Sequence, residues 1–251
     1  FPLTTSCLAL ALLFGIGGAS CFNLTMGEGN REKAAYYIGN AVSMLFLCGL
    51  ALCLITQLFL TSLLKFFGAP QDVLPYAQEY VRITALGFPF LLLTTGGGHL
   101  IRADGNPRMT MICNLTGAII NTVLDALFVM VFQMGMAGAA LATVIGQVIS
   151  AVIVICYLYH FKTVPLEKKH LIVNMEYTGK IASIGAASFF NQLAMMVVQI
   201  VLNNSLKHYG ALSIYGEAIP IACAGIVMKV NQVFFSIVIG IGQGSQPIES
   251  F

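Results

Sequence analysis

Charge is what this sequence has least of. Only 9% of its 251 residues are Asp, Glu, Lys or Arg, against roughly 25% in ordinary soluble domains, so a water-facing surface of normal composition is excluded. At a net charge of +2, no basic surface suggests nucleic acid. Tryptophan is absent, so any aromatic belt at a membrane surface must be made of tyrosine. The seven cysteines, Cys7, Cys21, Cys48, Cys53, Cys113, Cys156 and Cys223, are scattered through apolar runs, and none stands beside a His at ligand spacing. They read as small packing residues rather than as a disulfide framework or a zinc site. Sequons at Asn23, Asn114 and Asn203 lie in or against apolar runs and read as chance matches. The chain starts without Met inside an apolar run and stops shortly after a Gly-rich motif; both ends read as cuts.

What remains is long apolar blocks, 58% of the residues, separated by short polar joints. A helix needs about 20 mostly apolar residues to cross the hydrocarbon core. Blocks at 3–26, 34–67, 76–100, 109–133, 136–160, 181–206 and 211–239 are long enough, and far longer than barrel strands. The expected fold class is therefore an all-α integral membrane protein with about seven transmembrane helices. Eight of the twelve basic residues (Arg31, Lys33, Arg102, Arg108, Lys162, Lys168, Lys169 and Lys180) fall on alternate joints. Those joints are expected on the cytoplasmic side, so the first helix runs from outside to inside. The nine tyrosines, Tyr215 among them, lie near block ends, as headgroup-level rings do.

The longest joint, 161–178, separates five helices from two. Gly15-Ile16-Gly17-Gly18-Ala19-Ser20 recurs as Gly240-Ile241-Gly242-Gln243-Gly244-Ser245, each copy at the same end of a helix of the same direction. Same-direction copies point to parallel repeats about an axis along the membrane normal. No strand precedes either copy, which argues against a dinucleotide fingerprint. The expected organisation is an N-terminal lobe over 1–160, a linker over 161–178 and the start of a second lobe over 179–251.

Asp125 is the one acidic residue deep in a block. A carboxylate at membrane depth usually faces the bundle interior and marks an ion path. Asn121, four residues earlier, shares its helical face. Asp125 stands ten residues before Gly135 and Thr143 eight after it, about 15 Å and 12 Å at the rise of an α-helix. In a hairpin turning near Gly135 the two are nearly level, with Asn121 and Gln147 as a second rung. Two polar rungs, one anionic, suit a hard cation; interhelical hydrogen bonding with a protonated Asp125 is the structural alternative. Asn191, Gln192 and Gln199 on the sixth helix either line a wet cavity or bond a neighbour. Lys229, the basic residue deep in the seventh, neutralises an acid, lines a cavity or snorkels. Pro89 and Pro220 are expected to kink their spans.

The motifs at 15–35, 102–108 (RADGNPR), 121–125 (NTVLD), 138–147 (GAALATVIGQ) and 240–248 together resemble the MATE (multidrug and toxic compound extrusion) transporters, especially the MepA-like branch. The resemblance implies a twelve-helix, two-lobe fold, of which this chain holds helices two to eight. It implies a cation-coupled antiporter, driven by protons or sodium, exporting amphipathic and often cationic compounds across the inner membrane by alternating access. No enzymatic reaction or cofactor is implied, and the full-length protein is expected to be a monomer. Asn121, Asp125 and Thr143 match the family's N-lobe site; a helix-one Asp belongs to it too. Asn191 stands where some members carry a Glu, which concentrates coupling in the first lobe. A related flippase for a lipid-linked saccharide is the alternative. Its cavity should show several basic residues, and here only Lys229 qualifies. A membrane enzyme would need clustered His, Asp or Cys, whereas His99, His160, His170 and His208 are dispersed.

Overall fold

The structure, a computed structural model, describes residues 2–67, 72–212, 216 and 218–249, with no strand among them. Seven helices in it are long and apolar enough to cross a membrane, and a helix is what an apolar run must form there, because lipid offers its backbone no hydrogen-bond partner. The spanning helices are α1 (Pro2–Gly27), α2 (Arg31–Leu58), a composite span of α4 (Leu74–Thr84) and α5 (Phe88–Ala103), α6 (Pro107–Asp125), α7 (Gly135–Tyr159), α8 (Met175–Ala211) and α9 (Ala218–Glu249). A short helix, α3 (Leu60–Phe66), stands between α2 and α4.

Several boundaries differ from the sequence reading; α8, for one, starts at Met175 rather than at 181. The apolar block 34–67 would be about 50 Å as one helix, well over the roughly 30 Å core. The chain breaks it at Phe59. The Gln57 amide there donates to the Arg82 carbonyl at 2.7 Å, tying the end of α2 to α4. The block 211–239 starts as a helix only at Ala218, since Ala211 still belongs to α8. Pro220 therefore sits in the first turn of α9, where its missing N–H costs nothing, and does not kink it. Pro89 does mark a break: a 3-10 turn, Ala85–Gly87, precedes α5. Tyr215 lies outside the described residues. Only the helical backbone is described for the second Gly-rich copy, 240–245.

Two turns at the Lys/Arg-rich end share one design. Gly29 and Gly105 both take φ +78°, a conformation that costs an L-residue about 1–2 kcal/mol. The amides of Gly29 and Asn30 return to Met26 and Thr25, and those of Gly105 and Asn106 to Arg102 and Ile101. Each pair closes the finished helix in a Schellman motif. The Asn side chain then caps the next helix, Asn30 accepting from Lys33 at 3.1 Å and Asn106 from Met109 at 3.3 Å.

The core lies where α1, α2, α5 and α7 meet, around Phe22, Ile38, Leu45, Leu92, Leu100, Ile101 and Val154. Lipid tails are as apolar as Leu, so helix association in a membrane rests on close packing. The first Gly-rich motif supplies it. Gly15 faces Gly96 of α5, Gly17 faces the Ile181 carbonyl and Gly185 of α8, and Gly18 faces Ala41 of α2. One turn of α1 thus docks three helices.

The joint 161–178 is no loose loop. Asp104 accepts the Tyr157 hydroxyl at 2.7 Å, the Lys162 and Thr163 amides at 3.1 and 3.0 Å, and the Thr163 hydroxyl. Farther along, fully buried Asn40 of α2 donates to the His170 carbonyl at 3.4 Å and accepts the Asn174 amide at 2.6 Å. Ser43 donates to the Leu171 carbonyl at 2.6 Å. Tyr36 meets the His170 ring edge-on and stacks on Tyr177. Lys169 bridges Glu167 at 3.1 Å and Glu32 at 3.7 Å; the Glu167 carboxylate, by hydrogen bond and charge, raises the Lys169 pKa.

Candidate cation site

Helices α6 and α7 form an antiparallel hairpin around a tight turn in which Gln133 and Gly135 have φ of +52° and +58°. Small residues bring the pair together. Gly117 lies against the Gly146 carbonyl and the Ser150 hydroxyl, and Ser150 donates to the Cys113 carbonyl at 2.9 Å. Toward the turn, Gly138 lies against Phe128. These contacts set the register, and Thr143 falls between the levels of Asn121 and Asp125.

The side-chain to side-chain link across the hairpin is diagonal to the expected rungs. Asn121 donates to the Thr143 hydroxyl at 3.4 Å, and that hydroxyl donates to the Ala139 carbonyl at 2.9 Å. Gln147 is not Asn121's partner. Its side-chain oxygen lies against Gly87, in the 3-10 break between α4 and α5. A side chain at position 87 would occupy the space this oxygen fills, so the broken span forms a third wall.

Two acceptors, one on each helix of the hairpin, lack a donor. Asp125 Oδ1 and Gln147 Oε1 are both enclosed and without a hydrogen-bond partner among the described residues. Buried polar atoms in native proteins are nearly always paired, and an unmatched carboxylate at membrane depth is costly. The chemistry of the set is uniform: carboxylate, amide and hydroxyl oxygens, which suit a proton or a hard monovalent or divalent cation rather than a soft metal. No three of His, Cys, Asp and Glu come together among the described residues.

Asp125 also sits at a change of helix type. It ends α6, and residues Ala126–Val131 continue as a π-helix, with the Phe132 amide reaching back to Leu127 at 3.0 Å. Such wide turns occur mostly as single insertions, frequently at functional sites. Nothing in the apolar run ALFVMV announces it.

The remaining polar residues stand elsewhere. Gln199 of α8 accepts from Thr5 of α1 at 3.3 Å, which makes it a helix-to-helix bond. Gln192 is half-buried on α8, Asn191 is exposed there, and Lys229 is exposed on α9. None of them joins the α6–α7 cluster. The histidines are dispersed through α5, the end of α7, the linker and α8.

The chain has known relatives and its fold known counterparts. Multidrug export protein MepA from Staphylococcus aureus (strain NCTC 8325 / PS 47) is 27% identical over all 251 residues, which cover 54% of that protein. The protein of the same name from Staphylococcus haemolyticus (strain JCSC1435) gives the same identity and coverage. This chain thus spans about half the length of those relatives. An outward-facing multidrug resistance MATE family transporter of the MOP superfamily superposes with a TM-score of 0.81 at 22% identity, over 96% of this chain and 52% of that one. An inward-facing counterpart gives 0.76 at 24% identity, over 82% and 47%. The family model MatE matches residues 1–127, just over half of the chain, and the chain is therefore a member of the MatE family, a multi-pass membrane protein.

Proposed function

We propose that this chain belongs to a cation-coupled exporter of amphipathic, often cationic compounds, that Asn121, Asp125 and Thr143 bind the coupling ion, and that Gln147 lines the cavity next to the α4–α5 break. The observation that carries the reading is a pair of enclosed, unpaired acceptors on the α6–α7 hairpin, Asp125 Oδ1 and Gln147 Oε1. A proton on the carboxylate, or a sodium ion shared among the oxygens of Asn121, Asp125 and Thr143, supplies the missing positive partner. Its release on one side of the membrane then leaves a bare carboxylate in a medium of low dielectric. That state is unstable, and coupling follows when one orientation of the transporter exposes the carboxylate and the other closes over it.

In this reading residues 1–160 belong to a first lobe, 161–178 link the lobes on the cytoplasmic side of the inner membrane, and 179–251 begin the second lobe. The names of the relatives, multidrug export proteins, support the substrate class. The small number of basic residues in the spans argues against a flippase for an anionic lipid-linked saccharide.

The test is dye efflux from liposomes containing the full-length protein, under an imposed proton or sodium gradient. Uphill movement of a cationic dye driven by one gradient is the expected result. Dye movement indifferent to both gradients would remove the coupling proposal, and translocation of a lipid-linked saccharide with no dye movement would replace the substrate class.

A further inference from the structure

A second feature lies about α2 and α7 at the Lys/Arg-rich end. The anchored linker roofs a groove of about 300 Å³ whose floor is Val42, Leu93, Ile155 and Leu158. Leu171, held by Ser43 at 2.6 Å, closes one side, so the groove is preformed. Phe46 is 44% exposed at its open flank, beside Leu47 and Leu50 at 48% and 42%, an apolar flank that suits an acyl chain. Tyr159, 72% exposed, and Lys168 stand at the rim.

We infer that this groove binds an anionic phospholipid, one acyl chain along the apolar floor and the phosphate at Lys168. Charge decides the class of occupant. Glu167, the acid at the rim, is engaged by Lys169 at 3.1 Å, so no unpaired carboxylate invites a cationic drug. Lys168 has no carboxylate within salt-bridge distance among the described residues. Lipid tails gain little by leaving one apolar environment for another, so selectivity rests on the headgroup. A Lys near an anionic surface favours the charged lipid about fivefold. Tyr159 and the backbone at the end of α7 sit at the level where headgroup oxygens lie. An occupied groove would hold the linker against α2 and α7, and this inference does not depend on the coupling ion.

The absence of tryptophan from the chain provides the probe. Phe46→Trp is placed in the full-length protein, with any tryptophan outside this chain replaced by Phe, and reconstituted in vesicles. Lipid brominated on its acyl chains then quenches this reporter from within the groove. Brominated phosphatidylglycerol should quench at about one fifth the mole fraction needed for brominated phosphatidylcholine. Lys168→Gln should abolish that preference, and Lys33→Gln, on the same side but away from the groove, should keep it. Tyr159→Trp supplies a second reporter should the first variant fold poorly. Equal quenching by the two lipids with Lys168 present, or a preference that survives Lys168→Gln, overturns the inference. So does a preference lost equally in Lys33→Gln, because diffuse surface charge would then explain it.

Discussion

The side-chain amide of Asn121 donates to the hydroxyl of Thr143 at 3.4 Å, joining α6 to α7. Because that hydroxyl spends its own proton on the Ala139 carbonyl, it has none left for Asp125. Among the described residues the hairpin therefore leaves acceptors without donors, and in the proposed reading a bound cation or an acid proton makes up the difference.

Asp125→Asn in the full-length protein should therefore abolish gradient-driven efflux without impairing membrane insertion. The amide brings its own donor and cannot exchange a proton or neutralise a cation. Dye efflux at the parent rate in proteoliposomes, at matched protein content, would contradict the assignment.

Thr143→Ser and Thr143→Val separate a ligand role from packing. Serine keeps the oxygen and should retain most transport. Valine keeps the shape but strands the Asn121 amide, a loss of about 1–2 kcal/mol, or roughly tenfold in apparent affinity for the coupling ion. The measurement is initial efflux rate against ion concentration. Equal behaviour of the two variants would make Thr143 a packing residue.

Gly185→Ala should destabilise the protein by about 1–3 kcal/mol, because its new methyl would overlap the Leu13 backbone carbonyl across the α1–α8 contact. Gly179→Ala, on the same helix with nothing near its would-be methyl, should be neutral or stabilising by about 0.5–1 kcal/mol. Thermal unfolding midpoints in detergent should separate the two in that order, and a reversed order would mean that α1 and α8 do not approach as closely as described.

Asp104→Ala should loosen the linker. It leaves the Tyr157 hydroxyl and the Lys162 and Thr163 amides without their acceptor, a penalty of about 2 kcal/mol. Proteolysis follows the population of the locally opened form, so trypsin should cut at Lys162 or Lys168 roughly thirtyfold faster than in the parent. An unchanged nicking rate would show that Asn40 and Ser43 hold the linker unaided.

The sequence alone determined that seven helices are long and apolar enough to cross a membrane, because run length and the missing charge leave the backbone no other way to satisfy itself in lipid. It singled out Asp125 for the same reason: a carboxylate among Leu, Val and Phe is visible by contrast. It also placed α6 and α7 side by side, since a short connection permits little else. Rotation was a different matter. Whether Asn121 or Asp125 meets Thr143, whether Gln147 turns to Asn121 or to Gly87, and whether Gln199 lines a cavity or bonds Thr5 depend on packing between helices far apart in the chain. Run length says nothing about that packing. The break at Phe59 was hidden because Leu and Phe continue on both sides of it, and the π-helix after Asp125 because its residues are as apolar as any other turn. The linker looked like a polar loop, yet Asp104 and Asn40 hold it from 58 and 130 residues away. Contacts at such separation exist only after the helices have assembled. Tertiary structure therefore decided which oxygens are left without a donor, and where along the membrane surface the linker encloses a groove.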